Sequence, residues 1–306
     1  MAIPEAQLQT WTAQGSIQQS AATYATVKAA LDHRESSYAN RSAESYLQGS
    51  YGNDTNIWAD SDVDIVLATG SMFYFDIDAL PEVEKGKFHA SFPAADTYSY
   101  ADFKKEVTAW LTSKFGSSVK PGTKAIFIEG NGNRRDSDVL PAAEFRHYFG
   151  FKDAANPSVA KGIVFWKTDG TKIVNFPKQH SANCTTKHQA TNHRFKPAVR
   201  MFKNMRNKMI DDGYLEDGIA PSYYIEGLLS NAADYCFSGT LQEMFNACMN
   251  HLRQSNREHL MCANGIHWLV RDGAQVCWSV ANFNTFMAAV QTFWDEHGGK
   301  RKTIWL

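Results

Sequence analysis

The chain has 306 residues, with 31 Lys and Arg against 32 Asp and Glu, a formal charge of −1 with His neutral. At 43% hydrophobic, 13% aromatic and 21% charged, it excludes disordered, collagen-like and coiled-coil chains and can bury a large core in one or two domains. No apolar run approaches the roughly 18–20 residues of a membrane span, no signal-peptide pattern opens the chain, and five unevenly spaced cysteines suit a reduced cytoplasm better than a disulfide framework.

From Pro4 to Leu31, apolar residues at helical spacing predict one or two helices, with a break at Gly15. A short strand ends at Leu47 and meets the turn Gly49–Ser50. Asp62 to Leu67 is β-branched and bounded by polar residues, which predicts a strand. Phe103 to Phe115 has helical spacing. Ala125–Ile128 and Asp138–Leu140 read as strands joined through Asn131–Gly132, and Ile163–Trp166 and Thr171–Val174 as a hairpin across Asp169–Gly170. After Phe176 strand signals nearly vanish, and 199–210, 222–230, 241–252 and 283–296 read as helices. The expected class is α+β: N-terminal bridging helices over 1–40, an α+β core over 41–176 and a helical lobe over 177–306.

The near-zero net charge hides a sharp segregation. Between Lys178 and Lys208 lie eight cations and no Asp or Glu, whereas Asp54, Asp60, Asp62, Asp64, Asp76 and Asp78 crowd the front half. Such a chain has room for both a metal site and a phosphate site.

Alternation along a strand puts Asp62 and Asp64 on one face, with Val63 and Ile65 packing behind. Two neighbouring carboxylates repel unless a cation sits between them, and an oxygen-only donor set favours Mg²⁺ or Mn²⁺ over zinc. Gly49–Ser50, about a dozen residues upstream, is local chemistry for gripping phosphate through backbone N–H groups. A third carboxylate is sought downstream. Asp136 and Asp138 fall on the same strand face, and geometry alone leaves both open.

Together, the Gly-Ser turn and the Asp-x-Asp strand resemble the nucleotidyltransferase superfamily that includes DNA polymerase β. The ordered set Leu47–Ile57, Ser61–Val66, Phe176–His180, Phe195–Lys203 and Ser222–Glu226 resembles the cGAS/DncV-like nucleotidyltransferases, and among them the CdnE clade of anti-phage CBASS systems. The resemblance implies a polymerase β-like core and a helical C-terminal lobe around a central cleft. It implies Asp138, which directly precedes Val139-Leu140-Pro141, as the third metal ligand and the base, leaving Asp136 structural. It also implies that Gln48, Gly49, Ser50, Lys203 and Ser222 hold the triphosphate and that Tyr223 stacks on a base. Lys196 and Arg200 are weaker acceptor-phosphate candidates, and Asn183, placed in a loop, reads equally as a reader of a uracil edge or as a loop cap.

The implied activity joins two NTPs, ATP and UTP first among them, into a 3′3′-linked cyclic dinucleotide such as cyclic UMP-AMP, using Mg²⁺ (or Mn²⁺). The implied setting is a bacterial cytoplasm, with a downstream effector that responds to the product and with neither membrane nor long nucleic acid as a partner. The alternatives are a polymerase β-like transferase acting on RNA, a protein or a small molecule, and a catalytically silent nucleotide-binding module. His180, Cys184, His188 and His193 have a spacing like that of zinc ligands but read as a polar loop. Beyond 178–208 there is only the short basic cluster Lys300-Arg301-Lys302 and no long basic platform for nucleic acid.

Overall fold

In the computed structural model the described residues are 3–15, 17–58, 62–93 and 98–297. Asp60, Ser61 and Lys300–Lys302, which enter the sequence reading, lie outside them. In chain order the elements are α1 (Glu5–Thr12), α2 (Gln18–Leu31), β1 (Ala43–Leu47), the short turn of helix α3 (Gly49–Gly52), β2 (Val63–Asp76), α4 (Glu82–Ser91), α5 (Tyr100–Phe115), β3 (Val119–Pro121), β4 (Ile126–Ile128), β5 (Ser137–Phe151), β6 (Pro157–Trp166) and β7 (Lys172–Asn175). They are followed by α6 (Pro177–Ala190), α7 (Phe195–Asp211), α8 (Ser222–Ser230), α9 (Leu241–Gln254) and α10 (Val280–His297).

The chain divides into two compact units: one of residues 17–51 and 61–177, the other of residues 1–16, 52–60 and 178–306. The first holds a mixed seven-stranded sheet in the order β1-β2-β5-β4-β3, with β6 on the far half of β5 and β7 beside β6. Among these pairings only β2 with β5 is parallel. Val63, Ile65 and Leu67 of β2 and Val139 of β5 bury one face against Val27 and Leu31 of α2 and Phe103, Val107 and Leu111 of α5. Helix α5 starts where Ser99 and Asp102 cap each other reciprocally. A satellite core of Phe88, Tyr148 and Phe151 packs α4 onto β5.

The second unit is helical around a core that includes Val199, Phe202, Met205, Leu228, Phe245, Phe286 and Trp294. Helix α7 shows why: its apolar residues recur at 3.6-residue spacing, so one continuous stripe meets α8, α9 and α10. Thr240 and Glu243 form a second capping box at the start of α9. The break near Gly15 is real, and α1 and α2 belong to different units. Gly15 donates its N–H to Asn56 O at 3.1 Å, and a Cβ at position 15 would lie 2.5 Å from Ile57 O. Glycine is required there by close backbone approach rather than by the helix end.

One expectation is corrected. Residues 177–190 are not a loop but helix α6, which carries His180, Asn183, Cys184 and His188. Only His180 and Cys184 are buried in it, so its inner stripe is too narrow to read as hydrophobic periodicity. Among the described residues no helix is long and apolar enough to cross a membrane.

Candidate active site

In the sheet unit, the parallel pairing of β2 with β5 places Val63 opposite Ser137, Asp64 opposite Asp138 and Ile65 opposite Val139. In-register residues on paired strands point to the same face, so Asp64 and Asp138 stand side by side. The carboxyl of Asp138 is pushed above its ordinary value, first by burial and then by the charges of Asp62 and Asp136. Asp62 itself sits exposed just before β2.

Asp136 does different work. It lies one residue before β5, and its carboxylate accepts the Gly130 N–H at 2.6 Å, closing the turn between β4 and β5. Geometry therefore separates the two aspartates that sequence alone left equivalent.

Strand β1 brings the Gly-Ser turn to the same place. Gln48 donates its N–H to Asp64 O at 3.0 Å. Gly49 then adopts a left-handed conformation, φ +64°, and a Cβ on it would fall 2.4 Å from Asp64 Oδ2. A side chain there would strain the backbone and drive into the carboxylate. Ser50 follows in α3. Gln48, Asp64, Asp138, Phe127, Phe165 and Asn175 are among the residues lining a cleft of about 530 Å³ in this unit. Oxygen donors held together against their own repulsion fit a hard divalent cation.

In the helical unit the expected phosphate residues share α7 and α8. Lys203 is fully buried, with Nζ donating to Thr55 O at 3.0 Å. Lys196 pairs with Asp54 at 2.8 Å, and Arg200 donates to the carbonyls of Thr12 and Asp54, both at 2.6 Å. The cations expected to hold phosphate are thus tied, in this structure, to the segment after the Gly-Ser turn and to Thr12. Sequence reasoning missed this because Asp54 and Thr55 lie about 140 residues away from them.

Sequence reasoning also gave no role to Glu226. Its carboxylate is buried and accepts from Thr55 Oγ1, from Asn53 Nδ2 at 3.0 Å, and from His180 Nε2 at 2.6 Å. Burial acts to raise its pKa, but the bonds from His180 and Thr55, with the charges of His180 and Lys203, prevail and hold it low. A buried Glu with three side chains converging on it marks a built polar network. The advance signals were its place one turn after Tyr223 and at the end of the Ser222–Glu226 stretch.

Ser222 opens α8 and Tyr223 follows, its ring stacked on His180 at 4.9 Å and 24°. Asn183 is exposed on α6, with Nδ2 donating to Ala263 O at 2.9 Å. The zinc-like spacing does not assemble as a set. The ligand atoms of His180, Cys184 and Glu226 lie within 4.8 Å of one another, whereas His188 and His193 pair edge to face at 4.9 Å. Burial holds the Cys184 thiol well above its ordinary pKa, and Glu226 is already filled with hydrogen bonds. These residues fit a hydrogen-bonded core better than a zinc centre.

Residues 182–295 match the family described as the cGAS/DncV-like nucleotidyltransferase C-terminal helical domain. The chain is 33% identical over 300 residues to the cyclic UMP-AMP synthase of Rhodothermus marinus, covering 97% of this chain and 100% of that one. It is 32% identical over 305 residues to cyclic nucleotide synthase CdnE01 of Staphylococcus haemolyticus, covering 97% and 100%. Its fold matches the Rhodothermus marinus CdnE c-UMP-AMP synthase solved with Apcpp and Upnpp, with a TM-score of 0.86 at 32% identity over 97% of this chain and 98% of that one. With full-length relatives above 30% identity and a shared fold, the chain belongs to the cGAS/DncV-like nucleotidyltransferases, among the CdnE enzymes.

Proposed function

We propose that this enzyme joins two NTPs into a 3′3′-linked cyclic dinucleotide, with cyclic UMP-AMP the first product to look for. The observation that carries this is the parallel register that sets Asp64 beside Asp138, next to the left-handed Gly49. Likeness over the full chain to a cyclic UMP-AMP synthase supports the choice of bases.

Asp62, Asp64 and Asp138 would hold a divalent ion, Mg²⁺ or Mn²⁺. Bound there, it neutralises triphosphate charge and lowers the pKa of the attacking hydroxyl. In the sheet unit, Gln48, Gly49 and Ser50 are assigned to the donor triphosphate. In the helical unit, Lys203 and Ser222 are assigned to its β- and γ-phosphates, Lys196 and Arg200 to acceptor phosphate, Tyr223 to base stacking, and Asn183 to the uracil edge.

The acceptor 3′-oxygen forms a bond to the donor α-phosphorus, the bond from that phosphorus to the bridging oxygen breaks, and pyrophosphate leaves. Asp138 takes the hydroxyl proton, a role suited to a carboxylate whose pKa is raised. The linear product then turns over, and a second identical displacement closes the ring. The product would act on a downstream effector in CBASS defence within a bacterial cytoplasm.

The test is pyrophosphate release from single NTPs and NTP pairs with Mg²⁺, in wild type and Asp64→Ala. Release from ATP with UTP, lost in the variant, is expected. NTP binding without release would identify a silent binding module instead.

A further inference from the structure

We propose that His180, oriented by Glu226, and Asn264 are positioning residues that fix the ring of Tyr223 for base stacking. This rests on the assignment of Tyr223 as the base platform. It adds what holds that platform still.

The frame is built from three pieces of the helical unit. Tyr223 and Glu226 lie one turn apart on α8, so both reach the same imidazole on α6. His180 is 3% exposed, and one ring nitrogen meets Glu226 at 2.6 Å while its ring lies nearly flat against Tyr223. An ionised carboxylate can only accept, so the proton of that bond sits on His180 Nε2, and the imidazole plane is set by Glu226. The plane of Tyr223 follows from the stack.

The tip of the tyrosine is held separately. Asn264, 2% exposed, donates Nδ2–H to the Tyr223 hydroxyl at 3.1 Å. Its own amide cannot turn, because Oδ1 accepts the N–H groups of Ile266 at 2.9 Å and His267 at 3.0 Å. A tyrosine ring has two side-chain torsions. A stack on its face and a bond at its tip together define both.

The same loop also serves Asn183, since Ala263, which receives the Asn183 amide, immediately precedes Asn264. Asn183 and His180 are in turn three residues apart on α6. One loop therefore holds both groups assigned to the base, and the imidazole stacks on one of them. A side chain preset in this way spends less entropy on binding, and the effect falls on substrate affinity rather than on the chemical step.

The experiment compares full-length wild type with Tyr223→Ala, His180→Gln, His180→Phe and Asn264→Leu. For each, kcat and KM are measured for ATP and for UTP with the other saturating, and thermal midpoints are recorded. His180→Gln keeps a donor for Glu226 but loses the aromatic face; His180→Phe does the reverse. The proposal expects KM for one NTP to rise about three- to tenfold in His180→Gln and Asn264→Leu, with kcat within about twofold. It expects His180→Phe to keep KM within about twofold while losing more thermal stability than His180→Gln.

KM values that follow the thermal midpoints, with His180→Phe the worse variant on both, overturn the proposal, because the pair would then be purely structural. KM unchanged in His180→Gln while Tyr223→Ala raises it overturns the positioning role alone. KM unchanged in Tyr223→Ala overturns the platform assignment itself, and the proposal with it.

Discussion

Replacing Asp138 with Asn should do two opposite things. It should abolish nucleotidyl transfer, and it should make the metal-free protein more stable. Asp64 and Asp138 are paired across adjacent parallel strands, which run about 5 Å apart. Two unit charges at that distance repel by about 1 kcal/mol in water and about 3 kcal/mol at an effective dielectric of 20. Asp138 is half-buried, and solvent screening favours the lower figure. Its pKa is raised by burial first and then by the charges of Asp62 and Asp136: the folded state disfavours the charged carboxylate, so its cost is absent at low pH and appears as pH rises through the folded value. Removing about 1 kcal/mol of repulsion should raise the thermal midpoint in EDTA by about 2–4 °C.

The control is Asp136→Asn. Its carboxylate accepts a backbone N–H from Gly130, so loss should cost about 1 kcal/mol of stability and spare most activity. Differential scanning fluorimetry in EDTA and in Mg²⁺, beside a pyrophosphate assay, reads both outcomes. Mg²⁺ should stabilise wild type and Asp136→Asn but not Asp138→Asn. The reasoning is refuted if Asp138→Asn keeps activity, or if Asp136→Asn is the dead variant.

Other expectations follow from single contacts. Gly49→Ala should lower activity at least about tenfold, since the left-handed conformation costs about 1–2 kcal/mol and the new methyl displaces the Asp64 carboxylate; the rate at saturating NTP checks it. Glu226→Ala should cost about 3–5 kcal/mol in urea unfolding, because Asn53, Thr55 and His180 lose a common acceptor and Lys203 loses its countercharge. His188 has its pKa pushed down to about 4, by burial first and then by Lys196, His193 and Arg200. The unfolded chain takes up that proton near pH 6.5 and the folded one does not, so stability should fall between pH 6.5 and 4. After discounting for exposure, the share is about 1 kcal/mol. His188→Gln should flatten that part of the stability–pH curve.

The metal-facing strands were legible because their signals are local. β-branched residues mark β2, alternation aligns Asp62 with Asp64, and the Asn131–Gly132 turn announces the return towards Asp138. What brings Asp138 opposite Asp64 is inter-strand register, which no single strand contains. Helix α6 stayed hidden because only His180 and Cys184 are buried in it, too few to mark an apolar face. Its marks were a proline at the start, Lys187 and His188 in the last turn, and His180 and Cys184 four residues apart.

The burial of Lys203 was invisible for another reason. On α7 it looks like one more cation outside the apolar stripe. Its carbonyl partner at Thr55 and the carboxylate of Glu226 come from distant parts of the chain. The assignment of residues 52–60 to the helical unit has the same origin, in the pairs Lys196–Asp54 and Thr55–Glu226. Charge counts along the sequence locate such residues without telling whether they meet solvent, ligand or one another.

The most direct measurement is the identity of the product. Purified enzyme with Mg²⁺ and all four NTPs is treated with phosphatase, and the surviving nucleotide is identified by mass spectrometry and linkage-specific nuclease digestion. A phosphatase-resistant dinucleotide with the mass of cyclic UMP-AMP and two 3′–5′ linkages is predicted. Only linear, phosphatase-sensitive chains, or no nucleotide product from an enzyme that still binds NTPs, would contradict the account.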